Sequence, residues 1–201
     1  MHVLIVGKRG PEIKNKPRAG DLVLVTGSLG ASAGGLNCLR QLGRAVMEPK
    51  REIFLPHVRP NPRVAEALAL RKAGLVSGMI DLSEGLATDL NVLADREAIG
   101  AVIDESLLPI SDHTERAAML ITQNKRLWAL YGAEDYEILF LARPNDVVKI
   151  EKILKRNGTA FSAIGEVTAK RDGVQLRTCS GELTPFAVRG WHNLVRRSRV
   201  E

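Results

Sequence analysis

Two carboxylates and a hydroxyl fall within four residues, at Asp81, Ser83 and Glu84. Acidic oxygens this close suit a hard divalent cation, because magnesium is usually held by one or two carboxylates while substrate phosphates fill the rest of its shell. They also lie at a junction. Leu75, Val76, Met79 and Ile80 make an apolar run of strand length, and Leu86, Leu90 and Leu93 then recur at helical spacing. A helix start offers open N–H groups and a positive dipole end, both of which favour phosphate. Magnesium-nucleotide chemistry is therefore one reading of the stretch. The other is a capping box, with Asp81 accepting from first-turn amides and Glu84 reaching back to the Asp81 N–H.

A second acidic group enters an apolar segment at Glu134, Asp135 and Glu137, just ahead of Ile138-Leu139-Phe140-Leu141. Acids rarely start a buried strand without a purpose, although an acidic turn lying in water is the simple alternative. His57, Arg59 and Arg63 flank three prolines and could meet phosphate, or pair with neighbouring acids. Gly27-Ser28-Leu29-Gly30, with Gly34-Gly35, is a glycine-rich strand-to-helix turn. It is neither GxGxxG nor a P-loop, so close helix packing explains the glycines as well as a phosphate cradle does. Trp191 could stack on a planar ligand ring or pack the chain's end onto the core.

The elements that must position these groups alternate between strand and helix. Residues 2–6 predict a short strand, 14–21 a loop, Leu22–Thr26 a buried strand, and the stretch Gly27–Leu36 a turn into a helix that runs through about Leu42. Met47–Leu55 shows no period. Asn61-Pro62 predicts a helix start with proline at the first position, running to Ala73 with Val64, Leu68 and Leu70 facing the core and Gly74 closing it. After the central element come a strand at Ala101–Ile103, one helix from about Thr114 to Tyr131, and the strand after Glu137. An amphipathic helix follows over Asn145–Asn157, then a strand over Ala160–Val167 joined through Arg171-Asp172-Gly173 to a hairpin partner, Val174–Arg177. This order predicts an α/β (α+β) domain, a mixed sheet with helices packed on it.

Composition excludes several classes. The chain has 201 residues, 45% hydrophobic and 26% charged, which is ordinary for a globular domain and too apolar for disorder. No apolar run reaches transmembrane length, and Lys8 and Arg9 interrupt the N-terminus too early for a signal peptide. Cys38 and Cys179 have no metal-ligand spacing, and each reads as a small buried hydrophobe. The lack of a disulfide framework and export signal points to the cytoplasm. Net charge is +6, part of it in Arg196-Arg197-Ser198-Arg199. That basic excess would suit a polyanion, but no aromatic-studded basic stretch accompanies it, so a nucleic-acid-binding module is disfavoured.

Four blocks resemble one family. Ala19-Gly20-Asp21 through Gly30, His57-Val58-Arg59-Pro60-Asn61-Pro62-Arg63, Met79 through Leu90, and Gly132-Ala133-Glu134-Asp135-Tyr136-Glu137 occur in the order and approximate spacing of thiamine-monophosphate kinase. That enzyme belongs to the superfamily of aminoimidazole ribonucleotide synthetase and selenophosphate synthetase. The resemblance implies residues 19–201 as the C-terminal kinase-type domain and residues 1–18 as a remnant of the inter-domain segment, without the N-terminal ATP-binding and dimerisation domain. It also implies ATP- and Mg²⁺-dependent phosphorylation of thiamine monophosphate to the diphosphate. By position, Asp81 would be a magnesium ligand, with Glu84 where the family has a second metal-binding Asp. Ser83 and Lys14 would contact ATP, Lys14 standing for an arginine. Glu134 would contact the thiamine moiety, with Trp191 as the aromatic packed against it. Ala133 replaces a glycine. The expected partners are thiamine monophosphate, ATP, a separately encoded N-terminal half and a second copy in a homo-oligomer, with no membrane. The competing expectation is a catalytically inactive truncated relative that binds ligand or a partner. Either way the isolated chain is expected to be inactive.

Overall fold

Alternation along two apolar strands sets the centre of the molecule, for which a computed structural model describes residues 13–43 and 51–188. The expected strand at 2–6, Trp191 and the arginine tail lie outside the described residues. The strands are β1 (Leu22–Thr26), β2 (Val76–Asp81), β3 (Gly100–Asp104), β4 (Ile138–Ala142), β5 (Phe161–Thr168), β6 (Val174–Arg177) and β7 (Leu183–Pro185). They form one sheet in the order β2-β4-β1-β5-β3-β6-β7. Every pairing is antiparallel except that of β3 with β6, so the sheet is mixed as expected.

The helices are α1 (Ala31–Leu42), α2 (Arg51–Val58), α3 (Val64–Ala73), α4 (Leu86–Glu97), α5 (Asp112–Ile121), α6 (Lys125–Tyr131) and α7 (Val147–Arg156). Side chains alternate across a strand, so Val23, Val25, Leu139 and Leu141 face one way. There they meet Leu86, Leu90 and Leu93 of α4 and Ala129 and Leu130 of α6. Leu24, Phe140 and Ala142 face the other way, onto Leu70 of α3 and Ile150 and Leu154 of α7. A third cluster joins α1, α2 and α5 through Cys38, Ile53, Phe54, Ala117 and Ile121, with Trp128 of α6. Gly35 lets α1 approach α2, since a Cβ there would lie 2.9 Å from the Ile53 carbonyl oxygen.

The structure corrects several expectations. Arg51–Val58 is helical although Pro56 lies inside it, because tertiary packing of Ile53 and Phe54 overrides the local signal. The helix expected over Thr114–Tyr131 is two helices. Thr122 enters the left-handed region at φ 53° and Asn124 caps α6 by accepting from the Arg126 N–H, so the break needs neither glycine nor proline. Asn61-Pro62 precedes α3, which begins two residues later at Val64. Val64 and Leu68 are each 61% exposed, and the buried positions of α3 are Glu66 and Leu70. Glu66 takes the inward place because it accepts a hydrogen bond of 2.5 Å from the Thr159 hydroxyl. β6 is no hairpin partner of β5. β3 lies between them, pairs with both, and donates from Ala101 N–H to the Gly173 carbonyl. β6 makes its hairpin with β7 instead. Cys38 is buried, whereas Cys179 is exposed.

Candidate functional site

The central strand-to-helix junction forms as expected, but it is capped differently. β2 ends at Asp81 and α4 starts at Leu86. The capping-box roles of Asp81 and Glu84 are absent. Asp89, in the first turn of α4, folds back and accepts from the Glu84 and Gly85 N–H groups, each at 3.0 Å. Burial pushes the Asp89 carboxyl up to about 6 against those stabilising amides, and the negative charge of Asp81 pushes the same way. Asp81 and Glu84 are exposed, and neither carboxylate makes a hydrogen bond or ion pair among the described residues.

The second acidic group lies beside this junction. Three backbone bonds continue the β2–β4 ladder past the strand ends: Leu82 N–H to Glu137 O, Tyr136 N–H to Leu82 O, and Glu134 N–H to Ser83 O, all 2.9 Å. The segment 82–84 and the segment 134–137 thus run edge to edge. The structure thereby sets Ser83 beside Glu134 along the backbone, with Asp81 and Glu84 close by in the chain, while the Asp81 side chain lines a cleft with Met79 and Tyr136 and that of Glu134 lies beside His57. It does not bring Lys14 there: Lys14 is exposed next to Asn15, whose amide donates to the Gly74 carbonyl at 2.7 Å, at the opposite end of β2 from Asp81.

The three acids of the second group have different work. Glu137 is buried and clamped by Arg63, Nε to Oε2 at 2.7 Å and Nη2 to Oε1 at 2.8 Å, a bidentate pair. The Thr26 hydroxyl donates to Glu137 Oε2 at 2.7 Å and accepts from the Ile138 N–H at 2.9 Å. The hydrogen bond to Glu137 holds the Arg63 guanidinium above its ordinary value, against the cost of burial. Gly27 leaves the room this needs, since a Cβ there would sit 2.0 Å from Glu137 Oε1. Asp135 accepts from Gly30 N–H at 2.7 Å and Ser32 N–H at 3.1 Å, so the start of α1 holds the protein's own carboxylate. Burial raises Asp135 to about 7 even so. Glu134 points outward, its side chain 52% exposed, with Oε2 3.7 Å from His57 Nδ1.

Of the basic groups considered for phosphate, Arg63 is taken by Glu137 and His57 Nδ1 lies 3.0 Å from the Ser32 hydroxyl. Arg59 is exposed on the rim of a cleft of about 620 Å³ that also reaches Ser28, Asn61, His113 and Asp135. The Arg63–Glu137 pair separates this cleft from a second one, of about 410 Å³, lined by Asp81, Met79, Ile80, Arg96 and Tyr136. The Asp135 lock and the Arg63–Glu137–Thr26 network were not legible as pairs. Their residue types stood out, yet the partners lie 74 to 111 residues apart.

Magnesium fits the residues present at the junction. Asp81 and Glu84 are hard oxygen donors left unengaged at the surface, and Asp81 stands close enough to Asp89 for the two negative charges to repel. Among the described residues no group of three or more His, Cys, Asp or Glu side chains forms a cage, so any cation here relies on further oxygen donors from its ligand.

The family description AIR synthase related protein, C-terminal domain, matches residues 18–177. The thiamine-monophosphate kinase of Escherichia coli O157:H7 is 36% identical over 158 residues, covering 78% of this chain and 47% of that protein. The crystal structure of thiamine-monophosphate kinase from Stenotrophomonas maltophilia K279a superposes with TM-score 0.71 at 28% identity, covering 85% of this chain and 53% of that one. AaThiL complexed with AMPPCP and TMP superposes with TM-score 0.72 at 27% identity, covering 90% and 53%. The chain spans about half the length of the curated relatives it matches.

Proposed function

Since this chain belongs to the family of AIR synthase related protein C-terminal domains, we propose that it serves thiamine-monophosphate kinase chemistry: ATP- and Mg²⁺-dependent phosphoryl transfer to thiamine monophosphate. The rest of the relatives' length would come from a further polypeptide segment. Asp81 and Glu84 would hold the metal, Ser83 would contact ATP, and Glu134, with Trp191, would contact the thiamine moiety. Lys14 enters this reading only as a nucleotide contact at the far end of β2. Bound magnesium would neutralise charge on the transferring phosphoryl group.

Phosphoryl transfer needs no protein nucleophile, so the chain's own residues have to position and neutralise. Asp81 and Glu84 present unengaged carboxylates, and the helix start beyond them is closed by Asp89. The observation that supports the reading is the backbone interlock of Leu82 and Ser83 with Glu134, Tyr136 and Glu137, which ties the segment proposed for the metal to the segment proposed for the substrate. A second reading, ligand binding without turnover, draws support from Glu84. Its extra methylene shifts a carboxylate by about an ångström in a shell that tolerates little distortion.

Titration of the chain with Mg²⁺ and AMPPCP tests both. The expected result is Mg²⁺-dependent nucleotide binding that Asp81→Asn abolishes. Absence of any Mg²⁺ dependence overturns the metal assignment. Adding a polypeptide corresponding to the other half of a relative, and assaying thiamine diphosphate, separates the readings. Turnover supports the kinase, and binding without turnover supports the second reading. Thiamine monophosphate turnover by the chain alone would refute the need for the other half.

A further inference from the structure

We propose that Asp135 is a positioning residue. By accepting the first amides of α1 it holds the loop around it in a left-handed conformation and so aims Glu134 at the ligand. This rests on the reading of Glu134 given above.

The loop is strained at both neighbours of Asp135. Glu134 has φ 67° and Tyr136 has φ 52°, a region that side-chain-bearing residues enter at a cost and keep only where the surroundings impose it. The side facing β2 is imposed by the Glu134 and Tyr136 N–H groups, bonded to Ser83 and Leu82. The side facing α1 is held by Asp135, through hydrogen bonds of 2.7 and 3.1 Å that it accepts from the Gly30 and Ser32 N–H groups.

Ser32 also ties the lock to the exposed acid. Its N–H donates to Asp135, its hydroxyl lies 3.0 Å from His57 Nδ1, and His57 Nδ1 lies 3.7 Å from Glu134 Oε2. One residue of α1 therefore meets Asp135 directly and the strained Glu134 through His57. Both Asp135 oxygens are occupied by backbone amides, which suits a group that orients its neighbour and leaves ligand contact to it.

The test uses the full chain with Asp135→Ala, Asp135→Asn and Glu134→Gln, followed by amide hydrogen exchange and by thiamine monophosphate binding in the presence of Mg²⁺ and AMPPCP. In Asp135→Ala, exchange at Glu134 and Tyr136 is expected to accelerate by roughly tenfold or more, while Leu139 and Leu141 in β4 keep their protection. Asp135→Asn, which keeps one acceptor, falls between and carries the test if Asp135→Ala does not fold. Asp135→Asn should weaken thiamine monophosphate binding by no more than Glu134→Gln does, and the double variant should be no weaker than the worse single one.

Unchanged exchange at Glu134 and Tyr136, an equal loss of protection at Leu139 and Leu141, or binding losses that multiply would each overturn the proposal. If the wild-type chain takes up no thiamine monophosphate, the reading of Glu134 fails. Exchange then decides alone whether Asp135 holds the loop.

Discussion

Arg63→Met removes one partner of the buried ion pair and leaves the other in place. Glu137 has a side chain only 9% exposed, and Arg63 is 18% exposed. The guanidinium gives Glu137 two contacts, of 2.7 and 2.8 Å, and only the Thr26 hydroxyl remains once it is gone. Hydrogen bonds to charged groups contribute about 1.5–3 kcal/mol each, and breaking a buried pair from one side costs about 3–5 kcal/mol. The second figure is the better guide here, since methionine keeps most of the apolar stem. It is a large share of a domain's typical stability of about 5–15 kcal/mol. Urea unfolding followed by tryptophan fluorescence reads the loss. The double variant Arg63→Met/Glu137→Met removes both of these charges but leaves buried Glu66, whose Oε1 lies 3.8 Å from Arg63 Nη1, without that cation, so it should recover part of the loss. A loss under about 1 kcal/mol for Arg63→Met would refute the reasoning, as would a double variant whose loss equals the sum of the two single ones.

Three further outcomes follow from the same geometry. Gly27→Ala should destabilise strongly in the wild type, where its Cβ meets the Glu137 carboxylate. In a Glu137→Ala background the same change should cost only the backbone strain of φ 59°, so urea midpoints must show coupling between the two sites. Leu70→Ala should cost about 2–5 kcal/mol whereas Leu68→Lys stays within about 0.5 kcal/mol, which chemical denaturation of both variants checks. Asp135 and Asp89 are acids raised by burial to about 7 and about 6, so the folded state binds their protons more tightly than the unfolded chain does. Their contribution to stability is full below the ordinary carboxylate range and is lost as pH rises through 6 to 7. The urea midpoint should therefore fall as pH rises from the ordinary carboxylate range to about 7 and level off above it, and fall less steeply in Asp135→Asn.

What could be read from the sequence was whatever a single element decides by itself. The alternation in Leu22–Thr26 and Ile138–Ala142 fixes which side chains face which layer, and the leucine spacing after Gly85 fixes the inward stripe of α4. Arg51–Val58 is a helix because Gly35 lets Ile53 and Phe54 dock, a cause that lies outside the segment. The place of β6 was hidden for the same reason. Arg171-Asp172-Gly173 carries a local turn signal, yet β3, some seventy residues earlier, takes the position beside β5. Glu66 shows how polar partners can admit a carboxyl to a buried helix position, since the Thr159 hydroxyl and Arg63 satisfy it there while Leu68 and Val64 stay exposed.

The same logic sorts the acids. By composition Asp81, Glu84, Asp89, Glu134, Asp135 and Glu137 are equivalent, and the fold divides them by what it supplies to each. Asp89 and Asp135 receive backbone amides, and Glu137 receives an arginine and a threonine. A buried carboxylate without such partners would be too costly to keep. Asp81, Glu84 and Glu134 receive no such set and stay at the surface, so their charge is left for something from outside to neutralise. The acids available to a cation or a cationic ligand are thus those the interior leaves unspent. Giving Asp81 a lysine partner should therefore occupy that carboxylate from within and weaken Mg²⁺-dependent AMPPCP binding, which titration of the variant checks.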